Sequence, residues 1–157
     1  AYIKYDHFFT EKLYGYLNGS IYKDKFKDLN LRTTIGPGLG YQLFETDRTN
    51  LALEAGVTYV NEDFITEPDD DYAAGRWAVK FDHYLVPDRL QLFHNHEFLL
   101  GFKDTKDMIL RTQTGLRIPL FSGINAGLQF NYDWDRSPAA GTKKADYGYL
   151  FTLGYAL

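Results

Sequence analysis

From Leu29 to the C-terminus, apolar and polar residues alternate with a period of two, in stretches too long for an ordinary globular sheet. Between Leu29 and Phe44, Leu31, Thr33, Ile35, Leu39, Tyr41 and Leu43 share one parity. Asn30, Arg32, Thr34, Gly36, Gly38, Gly40 and Gln42 share the other. The same split recurs over 50–62, 73–84, 108–120, 124–135 and 145–157, and less cleanly over 2–9, 11–22 and 89–102. This pattern predicts nine strands, most of them about 11–14 residues long. Globular strands average about 5–6 residues. A tilted strand crossing a bilayer needs about 9–11.

Composition narrows the choice. The chain has 157 residues, enough for one domain. With no cysteine, a disulfide framework, a thiolate metal site and a cysteine nucleophile are all excluded. Aromatic residues make up 17% of the chain, far from the composition of a disordered protein. The net charge of −4 argues against a nucleic-acid partner, which calls for a basic surface. No apolar run reaches the roughly 18 residues of a transmembrane helix. The mean hydropathy of −0.37 reads as soluble, with one exception. A transmembrane β-barrel averages its lipid-facing and lumen-facing halves to the same value.

The connections alternate in length. Residues 23–28, 61–71, 103–107 and 136–144 are long or charged, whereas 10–12, 45–49, 85–88 and 121–123 are short. Bacterial outer-membrane barrels pair short periplasmic turns with longer outer loops. With a periplasmic C-terminus the long set falls outside, and residue 1 starts at the outer side. Nine is odd, whereas such barrels are normally even. The expectation is a barrel of about 10–12 strands, in which one or more N-terminal strands precede residue 1 or come from another chain, unless the count of nine is itself off by one.

Specific runs carry a resemblance. Asp24-Lys25-Phe26, Asp28-Leu29-Asn30-Leu31-Arg32, Gly36-Pro37-Gly38-Leu39-Gly40-Tyr41 and Glu54-Ala55-Gly56 with Tyr59 stand in order. Thr114 to Leu120, Pro138, Lys143-Lys144-Ala145-Asp146 and Thr152-Leu153-Gly154-Tyr155 follow. Together they resemble the salt-induced outer-membrane proteins, also called the domain of unknown function 481 family. The resemblance implies an antiparallel up-and-down transmembrane β-barrel in the outer membrane of a Gram-negative bacterium, with no established activity. It implies outer-membrane lipids, lipopolysaccharide, the barrel assembly machinery and other envelope proteins as partners. One departure is the ending, Gly154-Tyr155-Ala156-Leu157, where such barrels often close on an aromatic residue. The polar–glycine–aromatic–apolar spacing used in that recognition stands just upstream, over 146–153.

The polar parity supplies the candidate site. Arg32, Glu54, Arg76, Lys80, Asp82, Arg111, Arg117 and Asp133 are expected to face the lumen, pairing into a filled interior or lining a charge-selective pore. Glu62, Asp63, Glu67, Asp69, Asp70 and Asp71 form an acidic loop, a weak candidate for divalent ions and without the EF-hand spacing. His94 and His96 point the same way on a strand and have no identifiable third ligand for zinc or copper. Both share parity with Leu90, Leu92, Phe98 and Leu100, which leaves the facing of that strand open.

Other motifs are weaker. Ser20, Ser122 and Ser137 are the serines, and none sits in G-x-S-x-G, so Ser20 with His7 or His83 is an unsupported nucleophile pair. Gly36-Pro37-Gly38-Leu39-Gly40 lacks the ending of a phosphate loop. Its alternate glycines are expected to leave room for bulky lumen residues of neighbouring strands, with a bulge or bend at Pro37. Aromatics near strand ends read as a double girdle. The set is Tyr22, Phe26, Tyr59, Phe64, Tyr132, Trp134, Tyr147 and Tyr149 outside, and Tyr41, Phe44, Phe121 and Tyr155 inside.

The leading expectation is a porin-like or structural envelope protein, with no catalysis and no cofactor, passing small solutes or ions through a charged lumen. A soluble lipocalin-like carrier of an apolar ligand is the second reading, and an outer-membrane lipid-modifying enzyme the third. Parity separates the first two, because a carrier needs an apolar interior and a polar exterior.

Overall fold

A computed structural model of the chain describes residues 1–24, 29–66, 68–104, 107–120, 124–138 and 143–155. Nine strands form one antiparallel sheet in sequence order: β1 (Tyr2–Phe8), β2 (Leu13–Asp24), β3 (Leu29–Glu45), β4 (Thr49–Phe64), β5 (Asp70–Val86), β6 (Leu90–Gly101), β7 (Met108–Pro119), β8 (Ile124–Asp135) and β9 (Ala145–Tyr155). No helix interrupts them among the described residues. The longest, β3 and β5, have 17 residues each.

The period-two pattern forms these strands because alternate side chains of a pleated strand leave on opposite faces. Pairing keeps parity from strand to strand. Glu54 lies opposite Ala78, Ala78 opposite Glu97, Glu97 opposite Arg111, and Arg111 opposite Asp133. One face of the whole sheet therefore collects the polar parity.

That face is concave. Lys4 on β1 reaches Glu54 on β4, and Arg32 on β3 reaches Asp135 on β8. A flat sheet would hold these partners three and five strands apart, at about 4.8 Å per strand. The sheet is thus a partial barrel, open between β1 and β9. Both edge strands are odd-numbered in an up-and-down order, so they run in the same direction.

Glycines permit the tight curl. On the inward face of β3 a Cβ at Gly38 would overlap the ring of Tyr16, and one at Gly40 the ring of Tyr14. On β4 a Cβ at Gly56 would come within 2.6 Å of the Tyr16 hydroxyl. The two β2 tyrosines lie flat over a glycine floor, as the alternate glycines of 36–40 lead one to expect.

Pro37 behaves differently from expectation. Pairing with β4 lapses at Gly36 and Pro37 and resumes in the same register, from Ile35 with Tyr59 to Gly38 with Gly56. The register shifts of this pair sit near the strand ends, between Leu29 and Leu31 and between Gln42 and Phe44. Pro37 still lies opposite Leu17 on β2, so its missing N–H costs ladder bonds on one side only.

The acidic connection is also shorter than the sequence suggests. Glu62 and Asp63 belong to the end of β4, and Asp70 and Asp71 to the start of β5. Glu62 pairs with Asp70 in the ladder, and Asn61 with Asp71. Charged residues continue the strands past the apolar segment, where they had read as loop.

Candidate functional site

Glu54 is the centre of the concave face. Its position on β4, between Ala52 and Gly56 on the inward parity, places it under the β2 tyrosines with 1% exposure. Lys4 Nζ donates to its Oε1 at 2.6 Å, and the Tyr14 hydroxyl donates to the same oxygen at 2.8 Å. Arg76 Nη1 donates to Oε2 at 3.0 Å and to the Tyr16 hydroxyl at 2.8 Å. Arg76 Nε donates to Glu97 Oε1 at 2.6 Å. The Lys4 ammonium also meets Asp6 at 2.7 Å and stands about 5 Å from both tyrosine rings. A buried carboxylate is tolerable only with this density of donors and positive charge.

A second cluster lies further along the same face. Arg32 Nε donates to Glu62, and Arg32 Nη2 donates to Asp135 at 2.9 Å. Between the two clusters Val60, Tyr72, Ala74, Leu99 and Ile109 form a small apolar core. This part of the interior is filled by side chains.

The rest is open. An open cavity of about 810 Å³ lies against β5 to β8, the start of β1 and the end of β2. Lys80, Asp82, Arg111, Arg117 and Asp133 line it. A small pocket of about 30 Å³ adjoins it, and Tyr22, Arg111 and Asp133 border both. The Arg111 guanidinium stands 5.6 Å from the Tyr22 ring at that boundary.

All eight charged residues expected on the polar parity stand on this face, but they divide in two. Arg32, Glu54 and Arg76 are buried in close ion pairs, with Arg76 also reaching the cavity wall, whereas Lys80, Asp82, Arg111, Arg117 and Asp133 border the cavity without such close pairs. Parity alone misses Lys4, Glu62, Glu97, Asp135 and the two tyrosines as members of the network. Glu97 is hidden by the ambiguous facing of β6. The inward parity of that strand is the odd one, carrying Phe93, Asn95, Glu97 and Leu99.

His94 and His96 consequently stand on the outward face with Leu92 and Phe98. The Trp77 indole N–H donates to His96 Nε2 at 3.2 Å. His96 Nδ1 and His94 Nε2 are 3.2 Å apart, and His94 Nδ1 and Thr114 Oγ1 are 2.7 Å apart. Because His96 Nε2 accepts, neutral His96 carries its proton on Nδ1 and passes it toward His94. The order is Trp77 to His96 to His94 to Thr114, and every ring nitrogen is satisfied.

The remaining sequence candidates do not assemble. Among the described residues no three histidines, aspartates or glutamates come together as metal ligands. Glu62 faces inward to Arg32, Asp63 accepts from Asn30 at 2.7 Å, Asp69 accepts from the Phe64 amide and Asp70 from the Asp71 amide. Glu67 lies outside the described residues. Ser20 shares a hydrogen bond with Thr34 at 2.7 Å, and His83 with Thr49 at 2.8 Å, so neither serves the other. His7 stands on the other parity of its strand pair from Ser20. Ser122 lies outside the described residues.

The aromatic girdle needs one correction. Tyr41, Phe44, Tyr59, Tyr147 and Tyr149 are exposed, as expected of outward rings. Tyr22 and Phe64 line the small interior pocket with Arg32. They share the inward parity, which their place near strand ends conceals. Phe26, Phe121 and the terminal Ala156-Leu157 lie outside the described residues.

A family model described as a protein of unknown function, DUF481, matches residues 1–157. No curated protein and no solved structure matches the chain.

Proposed function

Because this chain belongs to the DUF481 family over its whole length, and that family carries no assigned activity, we propose a function from the geometry of the sheet. The protein is an outer-membrane β-barrel of a Gram-negative envelope, a porin-like or structural element whose charged interior admits small solutes or ions. The reading assigns it neither catalysis nor a cofactor.

The observation that carries this reading is inverted polarity. On the outward face Ile35, Leu128 and Phe151 are 54%, 58% and 73% exposed. On the inward face Glu54, Arg32 and Arg76 are buried. Apolar area left in water costs about 25 cal/mol per Å². Hydrocarbon removes that cost, and it suits side chains that need no polar partner. A carrier of an apolar ligand would show the reverse arrangement. The filled part of the interior, with its two ionic clusters and apolar core, favours restricted passage over a wide pore.

Strand direction bears on how the sheet could close. Since β1 and β9 run the same way, antiparallel closure takes an odd number of further strands, which makes the total even. The proposed partners follow from the location: lipids, lipopolysaccharide and the assembly machinery.

The test is reconstitution into vesicles with lipids brominated in their acyl chains. Trp77, on the outward face, is expected to be quenched strongly. A chain that stays monodisperse without detergent, with Trp77 unquenched, would overturn the reading. Planar-bilayer conductance then separates passage from a structural role.

A further inference from the structure

The ion pairs of the inward face fall into two classes by distance. Lys4, Arg32 and Arg76 each hold a carboxylate at 3.0 Å or closer. Lys80 stands 3.4 Å from Glu54, Arg111 is 3.6 Å from Glu97, and Arg117 is 3.4 Å from Asp82. The carboxylates that Lys80 and Arg111 approach are already committed, Glu54 to Lys4, Tyr14 and Arg76, and Glu97 to Arg76. The three loosely held cations all line the 810 Å³ cavity.

Among the side chains that line the cavity, Arg76, Lys80, Arg111 and Arg117 stand beside Asp82, Glu97 and Asp133, and Arg76 is shared between Glu97 and the buried Glu54. Between the cations runs a row of amides. Asn95 lies opposite Lys80, Gln113 opposite Asn95, and Asn131 opposite Gln113. Each amide carries donors and an acceptor, the chemistry that holds hydroxyl groups, and the Asn131 oxygen already accepts from Gln129 at 2.6 Å, which leaves its NH2 to donate. A cavity of this size lies within the range that encloses small organic ligands, about 300–1,000 Å³.

We propose that this cavity is a binding site for a small hydroxylated organic anion, its charged groups held by Lys80, Arg111 and Arg117 and its hydroxyl by the Asn95–Gln113–Asn131 row. The proposal rests on the reading of the inward face as a barrel interior and adds the class of solute. An anion brings the donors of the three cations the close acceptor that the protein withholds. It needs no conformational change in the Glu54 cluster, whose bonds are complete.

The experiment is calorimetric titration of the folded protein with citrate, and with glucose as an uncharged polyol. Citrate binding is expected at low salt, falling as salt screens the cations. Replacing both half-exposed cations, Lys80→Gln with Arg117→Gln, is expected to weaken it by about tenfold or more. Lys80→Arg should retain it, and so should Arg48→Gln, which lies in the β3–β4 turn. No citrate binding, equal binding by the double variant, or equal binding of glucose would each overturn the site. The titration runs equally on a sample without detergent. A chain dispersed in water would sink the barrel reading, and the citrate result would stand or fall separately.

Discussion

The ring of Tyr16 occupies the space that a side chain at Gly38 would need, and its hydroxyl then accepts from Arg76 at 2.8 Å. A backbone choice on β3 thereby decides where the central ion cluster on β4 and β5 can sit. Gly38→Ala is expected to destabilise the fold by about 1–3 kcal/mol, the usual cost of overpacking. Gly148→Ala, with open space around its Cβ, should leave it unchanged. Denaturant titration of the refolded protein checks both.

Removing the central carboxylate has a larger expected effect. Glu54→Ala leaves Lys4 and part of Arg76 buried without their main acceptor, a loss of about 3–5 kcal/mol. Arg117→Ala breaks a long, half-exposed pair and uncovers the Phe93 ring, over which the guanidinium lies at 4.3 Å, and should cost about 1–2 kcal/mol, still well below Glu54→Ala. The contrast between the two, read as urea midpoints at equal slope, tests the division into close and loose pairs.

The outward relay is open to spectroscopy. In a Trp134→Phe background, His96→Phe removes the acceptor of the Trp77 indole N–H. The emission of Trp77 is expected to move to shorter wavelength as its surroundings become wholly apolar. An unchanged spectrum would mean that the bond to His96 does not form in the folded protein.

One acidic group outside the strands gives a pH dependence. Burial pushes the Asp107 carboxyl above its ordinary range, and Asp104, Asp70 and Asp135 push it further against the pull of Lys103. A raised folded value means that the folded rim holds the proton more tightly than the unfolded chain. Its stabilising share is therefore full in acid and lost as pH rises through the folded value. The Gly101 amide, which donates to the Asp107 carbonyl at 2.7 Å, reports this locally. Its protection from hydrogen exchange should fall from acid to neutral pH, and Asp107→Asn should flatten the dependence.

Most of the fold was legible because parity is a physical property of a strand and not a statistical preference. Leu29 to Phe44 read as a strand with Arg32 inward and Ile35 outward, and both are so placed. The difficulties arose where parity and chemistry disagreed. His94 and His96 carry polar rings on an apolar parity, and only the cross-strand partners Trp77 and Thr114 make that arrangement stable. Tyr22 and Phe64 looked like interfacial rings but share the parity of Arg32. Glu62 read as loop because charge ends a hydrophobic strand, whereas here it continues one in order to meet Arg32. Which cations are loosely held could not be read at all, since Arg76 and Arg117 have the same local pattern and differ only in distances across the interior.

Every ladder in this sheet joins strands adjacent in the chain. Arg32 and Asp135, by contrast, lie 103 residues apart. The two kinds of contact form under different entropic costs. Neighbouring strands can zip one hairpin after another, each closing a short loop, whereas the bond that holds β3 to β8 waits for the whole intervening segment. Folding speed should then be set by curling, with strand pairing already complete. Arg32→Ala would slow the appearance of the compact form while leaving the early gain of β-structure untouched.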